Sequence, residues 1–190
     1  KSPHVDVIVE ATGHVDFGLN VTIDAMRHGK HVVLMNAELD ATLGPILQIH
    51  AKRYGVVLSA CDGDEPGVQM NLYRWVKGLG LTPRVMGNVK GLQDPYRTPT
   101  TQAGFAQKWG QTPSMVTSFA DGSKISFEQS IVANATGFKV KSRGMSRGFE
   151  YKGDIMDIGK LYDLDELREL GGIIDYVVGT PLARVCCLAE

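Results

Sequence analysis

The sequence predicts an α/β protein: the second half of a doubly wound parallel sheet, followed by an α+β domain. Three observations lead there. Short β-branched apolar runs stop at glycines or small polar turns, as buried parallel strands do. Helically spaced apolar residues lie between those runs and end at glycine. After Cys61 the texture changes to longer, proline-punctuated segments.

The first strand is expected over Val5–Glu10, where Val-Asp-Val-Ile-Val-Glu runs into Ala11-Thr12-Gly13. A helix over Asp16–His28 follows, with Phe17, Val21, Ala25 and Met26 near helical spacing and Gly29 as its C-terminal stop. His31–Met35 is the second strand. Asn36–Gly44 reads as a polar turn, Pro45–Tyr54 as a helix ended by Gly55, and Val56–Ala60 as the third strand. Strand, helix, strand, helix, strand with short connections is the doubly wound pattern, with right-handed crossovers.

The second part begins with a carboxylate-rich turn, Asp62–Gly67, and a helix over Val68–Lys77. Arg84–Val89 alternates like a strand. Gln93–Pro113, with Pro95, Pro99 and Pro113, reads as a long loop holding a short helix at Ala103–Trp109. A helix over Ser126–Ala135 and a strand over Ile173–Val178 complete the expectation. The boundary falls near Leu79–Pro83, giving domains 1–79 and 80–190.

The first of these domains is Rossmann-like, yet no Gly-x-Gly-x-x-Gly turn occurs in the 190 residues. The expectation is therefore the C-terminal part of an NAD(P)-binding domain, in a chain that is a piece of a longer protein. Composition narrows the class further: hydrophobic residues make up 43%, charged residues 22%, and the net charge is -1. That balance is ordinary for a globular protein and gives nucleic acid nothing to bind. The uncharged apolar runs reach about eight residues, against the roughly 20 of a membrane helix, and no export signal opens the sequence. Neither membrane insertion nor secretion is expected. Cys61, Cys186 and Cys187 have neither a disulfide nor a zinc spacing, which points to reduced thiols in the cytoplasm.

Open α/β sheets collect ligands at the carboxyl ends of their strands. The loop Ala11-Thr12-Gly13 and the stretch from Asn36 to Glu38 are the expected cofactor-binding positions, with strand-ending turn chemistry as the plain alternative. Asp62, Asp64 and Glu65 cluster at the end of the third strand. Adjacent carboxylates repel unless a cation relieves them, so they are candidate ligands for Mg²⁺ or Mn²⁺; a solvated acidic turn is the alternative. Downstream, Lys90, Arg97 and Lys124 are candidates to meet an anionic or polarised oxygen, and Asp94, Asp121 or Glu128 to handle protons. Lys124 and Glu128 are four apart on one prospective helix face; an exposed ion pair is the bland reading. Asn134 could add hydrogen bonds, and Met145–Arg147 lies in a glycine-punctuated basic loop.

Several segments together resemble the homoserine-dehydrogenase-like oxidoreductases: Asp6-Val-Ile-Val-Glu-Ala-Thr-Gly13, Gly29-Lys-His-Val-Val33, Gly87-Asn-Val-Lys-Gly91, Asp94-Pro-Tyr-Arg-Thr-Pro99, Ser118-Phe-Ala-Asp-Gly-Ser-Lys124 and Val132-Ala-Asn-Ala-Thr-Gly137. Within them the chain is most similar to the deoxyxylulose 5-phosphate reductoisomerase-like (DRL) subgroup, which adds a C-terminal SAF domain. The specific part is Gly87 to Gly137. The resemblance implies a central catalytic and dimerisation domain at 80–190, NADPH or NADH as cofactor, and a homodimer or higher homo-oligomer. It also implies conversion of 1-deoxy-D-xylulose 5-phosphate to 2-C-methyl-D-erythritol 4-phosphate, an isoprenoid precursor. Homoserine dehydrogenases carry Asn-Lys after the strand where this chain has Asn36-Ala37, and Asn-Gly-Thr where it has Lys90-Gly91-Leu92. The remaining readings are a dehydrogenase of an amino or hydroxy acid and a non-catalytic dimerisation or binding module.

Overall fold

The structure, a computed structural model, describes residues 2–91, 93–145, 150–180 and 184–190. The chain divides into two compact units, Lys1–Gly67 and Val68–Glu190, each with its own sheet. No described helix is long and apolar enough to cross a membrane.

In the first unit the expected alternation is present as β1 (Val7–Glu10), α1 (Val15–Arg27), β2 (His31–Leu34), α2 (Ala37–Tyr54) and β3 (Leu58–Ala60). The strands are parallel in the order β1-β2-β3. Met26 of α1, Val32 and Leu34 of β2, Leu39, Leu47 and Ala51 of α2, and Leu58 of β3 form a single core. Both helices therefore lie on one face of the sheet, as successive crossovers of one hand require when strands follow chain order. The opposite face leaves Val7 and Val9 exposed. Among the described residues the sheet is thus covered on one side, by α1 and α2.

The polar turn expected at Asn36–Gly44 is the start of α2 instead. Asn36 Oδ1 accepts the Leu39 N–H at 3.1 Å, capping the helix, and Glu38 and Asp40 favour its positive end. The helix then runs through Pro45. The residue before a proline is normally driven from helical geometry by a Cβ clash, and Gly44 has no Cβ.

In the second unit, α3 (Glu65–Gly78) begins inside the carboxylate turn, and its Met70 and Tyr73 pack on a core of Met86, Val132, Met145 and Ile174. That packing puts the division between units ahead of the 79/80 boundary expected. The other elements are β4 (Pro83–Lys90), α4 (Pro99–Trp109), α5 (Pro113–Ala120), α6 (Ser123–Thr136), β5 (Lys139–Val140), a 3-10 helix over Ile155–Leu161, α7 (Leu164–Leu170), β6 (Ile173–Val178) and β7 (Arg184–Ala189). The sheet order is β5-β6-β4-β7, parallel except for the antiparallel edge strand β7.

The long loop expected over Gln93–Pro113 contains a full helix and the start of another. Pro99 and Pro113 stand at first helical positions, where no backbone N–H is needed. Thr98 and Thr101 bond reciprocally as a capping box, and Thr112 Oγ1 accepts the Met115 N–H at 3.3 Å. Both prolines start helices rather than interrupt them.

Strand β4 serves two cores. Val85 packs with Leu167 and Val89 with Ile158 on one face, whereas Met86 packs with Val132 of α6 on the other. Alternation then sends Asn88 and Lys90 to the α6 side. Gly87 pairs with both Asp175 and Cys186; a Cβ there would lie 2.8 Å from Cys186 Sγ and 3.3 Å from Asp175 O. Gly87→Ala is expected to destabilise the chain by about 1–3 kcal/mol through overpacking. In a double-mutant cycle read by chemical denaturation, Cys186→Ala should recover part of that loss; strictly additive effects would show that the sulfur is not the obstacle.

Candidate functional site

At the carboxyl end of β1, Ala11, Thr12 and His14 are exposed and Gly13 takes φ 69°. Beneath them, Glu10 Oε1 accepts the Thr12 N–H at 2.9 Å and the Thr12 hydroxyl at 2.5 Å. Asn36 is buried; besides capping α2, it donates from Nδ2 to His14 O at 3.2 Å. Its side chain is therefore spent inside the protein, and as an expected cofactor contact it acts by holding the loop. Glu38 lies half-buried in the first turn of α2. Ala11, Thr12 and Gly13 remain as a surface of small residues, with the Thr12 N–H held by Glu10.

Asp62, Asp64 and Glu65 stay a turn and a helix start. The Asp64 N–H donates to Cys61 O at 3.3 Å, and Glu65 is the first residue of α3. Among the described residues no group of three His, Cys, Asp or Glu is arranged to hold a metal ion, so the expected Mg²⁺ or Mn²⁺ site is not supported. Asp64 instead bears on Asp40, which the sequence reading passed over as part of a turn. Burial pushes the Asp40 carboxyl up from 3.8 to about 6, with repulsion from Asp64 adding to it.

In the second unit, Lys90 ends β4, and its carbonyl accepts from Gly179 N at 2.9 Å. The segment just after it folds against the turn between α5 and α6: the Asp94 N–H donates to Ala120 O at 2.8 Å, and a Cβ on Gly122 would lie 2.8 Å from Gln93 Oε1. The N-terminus of α6 is thereby held at the carboxyl end of β4. Here the expected pair is present: Lys124 Nζ lies 3.7 Å from Glu128 Oε1, with the side chains 19% and 3% exposed. Lys124 Nζ also stands 5.9 Å from the Phe119 ring centroid. This is a buried pair, not the exposed one that four-residue spacing usually signifies. A distance of 3.7 Å is an ion pair without a direct hydrogen bond, which leaves ammonium protons for another acceptor.

The other predicted residues are engaged locally. Asp121 Oδ1 accepts from Ser123 N at 2.9 Å and Ser123 Oγ at 2.7 Å, forming the turn into α6. Arg97 Nε pairs with Asp94 Oδ2 at 3.0 Å, and Asp94 Oδ1 accepts from Tyr96 N. These two form a local i,i+3 ion pair. Asn134 is exposed in the last turn of α6, away from Lys124. Arg147 of the basic loop and Leu92 lie outside the described residues. The sequence reading missed Asn88 and Gln129, both buried polar residues, the first on the α6 side of β4 and the second beside Glu128. A polar residue in the apolar alternation of β4 was the available signal.

Cys186 and Cys187 alternate to opposite faces of β7, joining different cores. Burial raises the Cys186 thiol to about 12, with Cys187 and Asp175 adding to it, and raises Cys187 to about 11. Neither is a thiolate near neutral pH, so neither is a nucleophile there.

Residues 63–185, well over half of the chain, match the family described as oxidoreductase DRL, catalytic domain. The chain belongs to this oxidoreductase family. No curated protein matches it. The matched span of this DRL oxidoreductase includes Lys90, Lys124 and Glu128 and leaves the loops at Ala11–Gly13 and Asn36–Glu38 outside. The catalytic assignment thus falls on the unit that holds the buried lysine–glutamate pair.

The Asp40 shift has a definite sign. The folded state binds the proton more tightly than the unfolded state, so the Asp40 contribution to stability is fully present below pH 3.8, is lost as pH rises to about 6, and is level above. Asp40→Asn should remove that fall and stabilise the protein at pH 7 by roughly 2 kcal/mol, measured by urea unfolding across pH. Superimposable pH profiles would show that Asp40 is not a buried acid.

Proposed function

We propose that this DRL oxidoreductase reduces a small phosphorylated keto substrate with a nicotinamide nucleotide, in a reductoisomerase-like reaction from 1-deoxy-D-xylulose 5-phosphate to 2-C-methyl-D-erythritol 4-phosphate. The supporting observation is the Lys124–Glu128 pair, buried at the carboxyl end of β4 inside the matched catalytic span. A largely enclosed ammonium opposed by a carboxylate at 3.7 Å can donate to an incoming oxygen, and with water largely excluded its charge acts strongly.

In this reading the ketose phosphate first rearranges, its C3–C4 bond breaking and a C2–C4 bond forming while the C3 hydroxyl proton passes to the former ketone oxygen. Lys124 Nζ donates to the oxygen of the resulting aldehyde and gives it a proton as that carbon is reduced. Glu128 aims the lysine. Lys90, at the same end of β4, binds the substrate's anionic group. The exposed Ala11–Gly13 backbone of the first unit would hold the nucleotide, supported by Glu10 and Asn36 from below. When bound, the nicotinamide supplies the hydride. The homoserine-type alternative has less support, because Ala37, where those enzymes carry lysine, is a buried methyl at the start of α2.

Incubation with 1-deoxy-D-xylulose 5-phosphate and NADPH, followed by the loss of nicotinamide absorbance and product mass, tests the reading. No oxidation with this ketose phosphate, alongside turnover of homoserine, would replace it with the dehydrogenase alternative. Lys124→Ala should lower kcat/KM by about 10²–10³, as loss of a donor to developing charge does, and Glu128→Gln by less. Asp94→Asn with Arg97→Ala should change kcat/KM by no more than about twofold, because that pair is half-exposed and local.

A further inference from the structure

Strand β1 ends in a charged residue on its buried side. Glu10 pairs in register with Leu34 of β2, on the face covered by α1 and α2, and is 2% exposed. Leaving a carboxylate there is costly unless its hydrogen bonds hold something in place, since an apolar side chain in the same register would join the core freely. Both of its observed hydrogen bonds go to Thr12, through the backbone N–H and the hydroxyl. Glu10 Oε2 has no hydrogen-bond partner among the described residues. Asn36 ties the far end of the same loop through His14 O. On the remaining side, a Cβ on Gly18 would lie 3.0 Å from Glu10 Cδ and 3.1 Å from Asn36 Nδ2, so α1 packs closely over both groups. The loop above is exposed while its supports are buried.

We propose that Glu10 is a positioning residue: acting through Thr12, and together with Asn36 acting through His14, it fixes the backbone of Ala11–His14 in the shape that receives the nicotinamide nucleotide. This rests on the nucleotide reading above. A carboxylate suits the role because one oxygen takes two donors from the same residue, and a charged acceptor holds each more firmly than a neutral one. Glu10→Gln keeps the volume and an acceptor but loses the charge; Glu10→Leu removes the bonds and suits the core.

Three measurements on the full chain separate the possibilities: hydrogen exchange at the Thr12 amide, the Kd for NADPH, and the unfolding midpoint. Glu10→Leu should lower Thr12 amide protection and raise the NADPH Kd about tenfold, with Glu10→Gln intermediate and the KM for the ketose phosphate unchanged. Unchanged Thr12 protection in a folded Glu10→Leu chain overturns the positioning role whatever the nucleotide does. Lost protection with the wild-type Kd overturns it too, leaving Glu10 a loop staple. If Glu10→Leu does not fold, Glu10→Gln and Thr12→Val carry the same comparison. Wild-type protein that protects Thr12 but does not bind NADPH overturns the nucleotide reading itself, and the assigned role with it.

Discussion

A charge removed from water needs a partner or a hydrogen bond, and that constraint organises both units of this protein. Glu128 is almost wholly enclosed, and Lys124, one helical turn earlier on α6, stands against it. Removing one partner of such a pair leaves the other buried without compensation, which is far more destructive than the pair is stabilising. The pair therefore constrains α6 to keep its N-terminal end packed, and the turn from Ala120 to Gly122 does so by bonding the segment that leaves β4. Glu10 meets the same constraint differently, with hydrogen bonds in place of a counter-ion.

Parallel strands make these positions available. Along β4 one face is wholly apolar at Val85 and Val89, while the other passes from Met86 to Asn88 to Lys90, growing more polar toward the carboxyl end. The helix packed on that second face follows suit, with Val132 against Met86 and Glu128, Ile125 and Lys124 toward its start. Polar chemistry thus collects where the strands end and helices begin, and packing energy is concentrated at the other end. The first unit repeats the arrangement on a smaller scale, with its core at Met26, Val32 and Leu47 and its polar ties at Glu10, Thr12 and Asn36.

Other charged or ionisable clusters are engaged with near neighbours. Asp94 and Arg97, three residues apart, satisfy each other at the surface, and Asp121 turns the chain into α6. Asp64 faces a second carboxylate, Asp40, whose proton affinity rises as a result of burial and of that neighbour. The adjacent cysteines are separated by strand alternation, one to each face of the sheet, and both thiols are held protonated by burial.

The sequence by itself determined the local elements: β1, β2, β3, β4 and β6 through their β-branched runs, α1 and α6 through their spacing, and the Lys124–Glu128 pair through its four-residue separation. These depend on near neighbours, which a sequence displays directly. It placed the later parts and ends of α2 and α4 but began both too late, and missed α5, because Asn36, Pro99 and Pro113 are turn residues and helix starters alike. Which role they take depends on whether a helix following them finds a core to cover. Only the tertiary structure decided that Glu128 is buried, that Asn36 is spent between α2 and His14, that Gly18 packs closely over Glu10, and that Asp40 feels the charge of Asp64. Those facts depend on residues distant in the chain, and burial, which sets the strength of every charge here, is a property of the assembled core rather than of any segment.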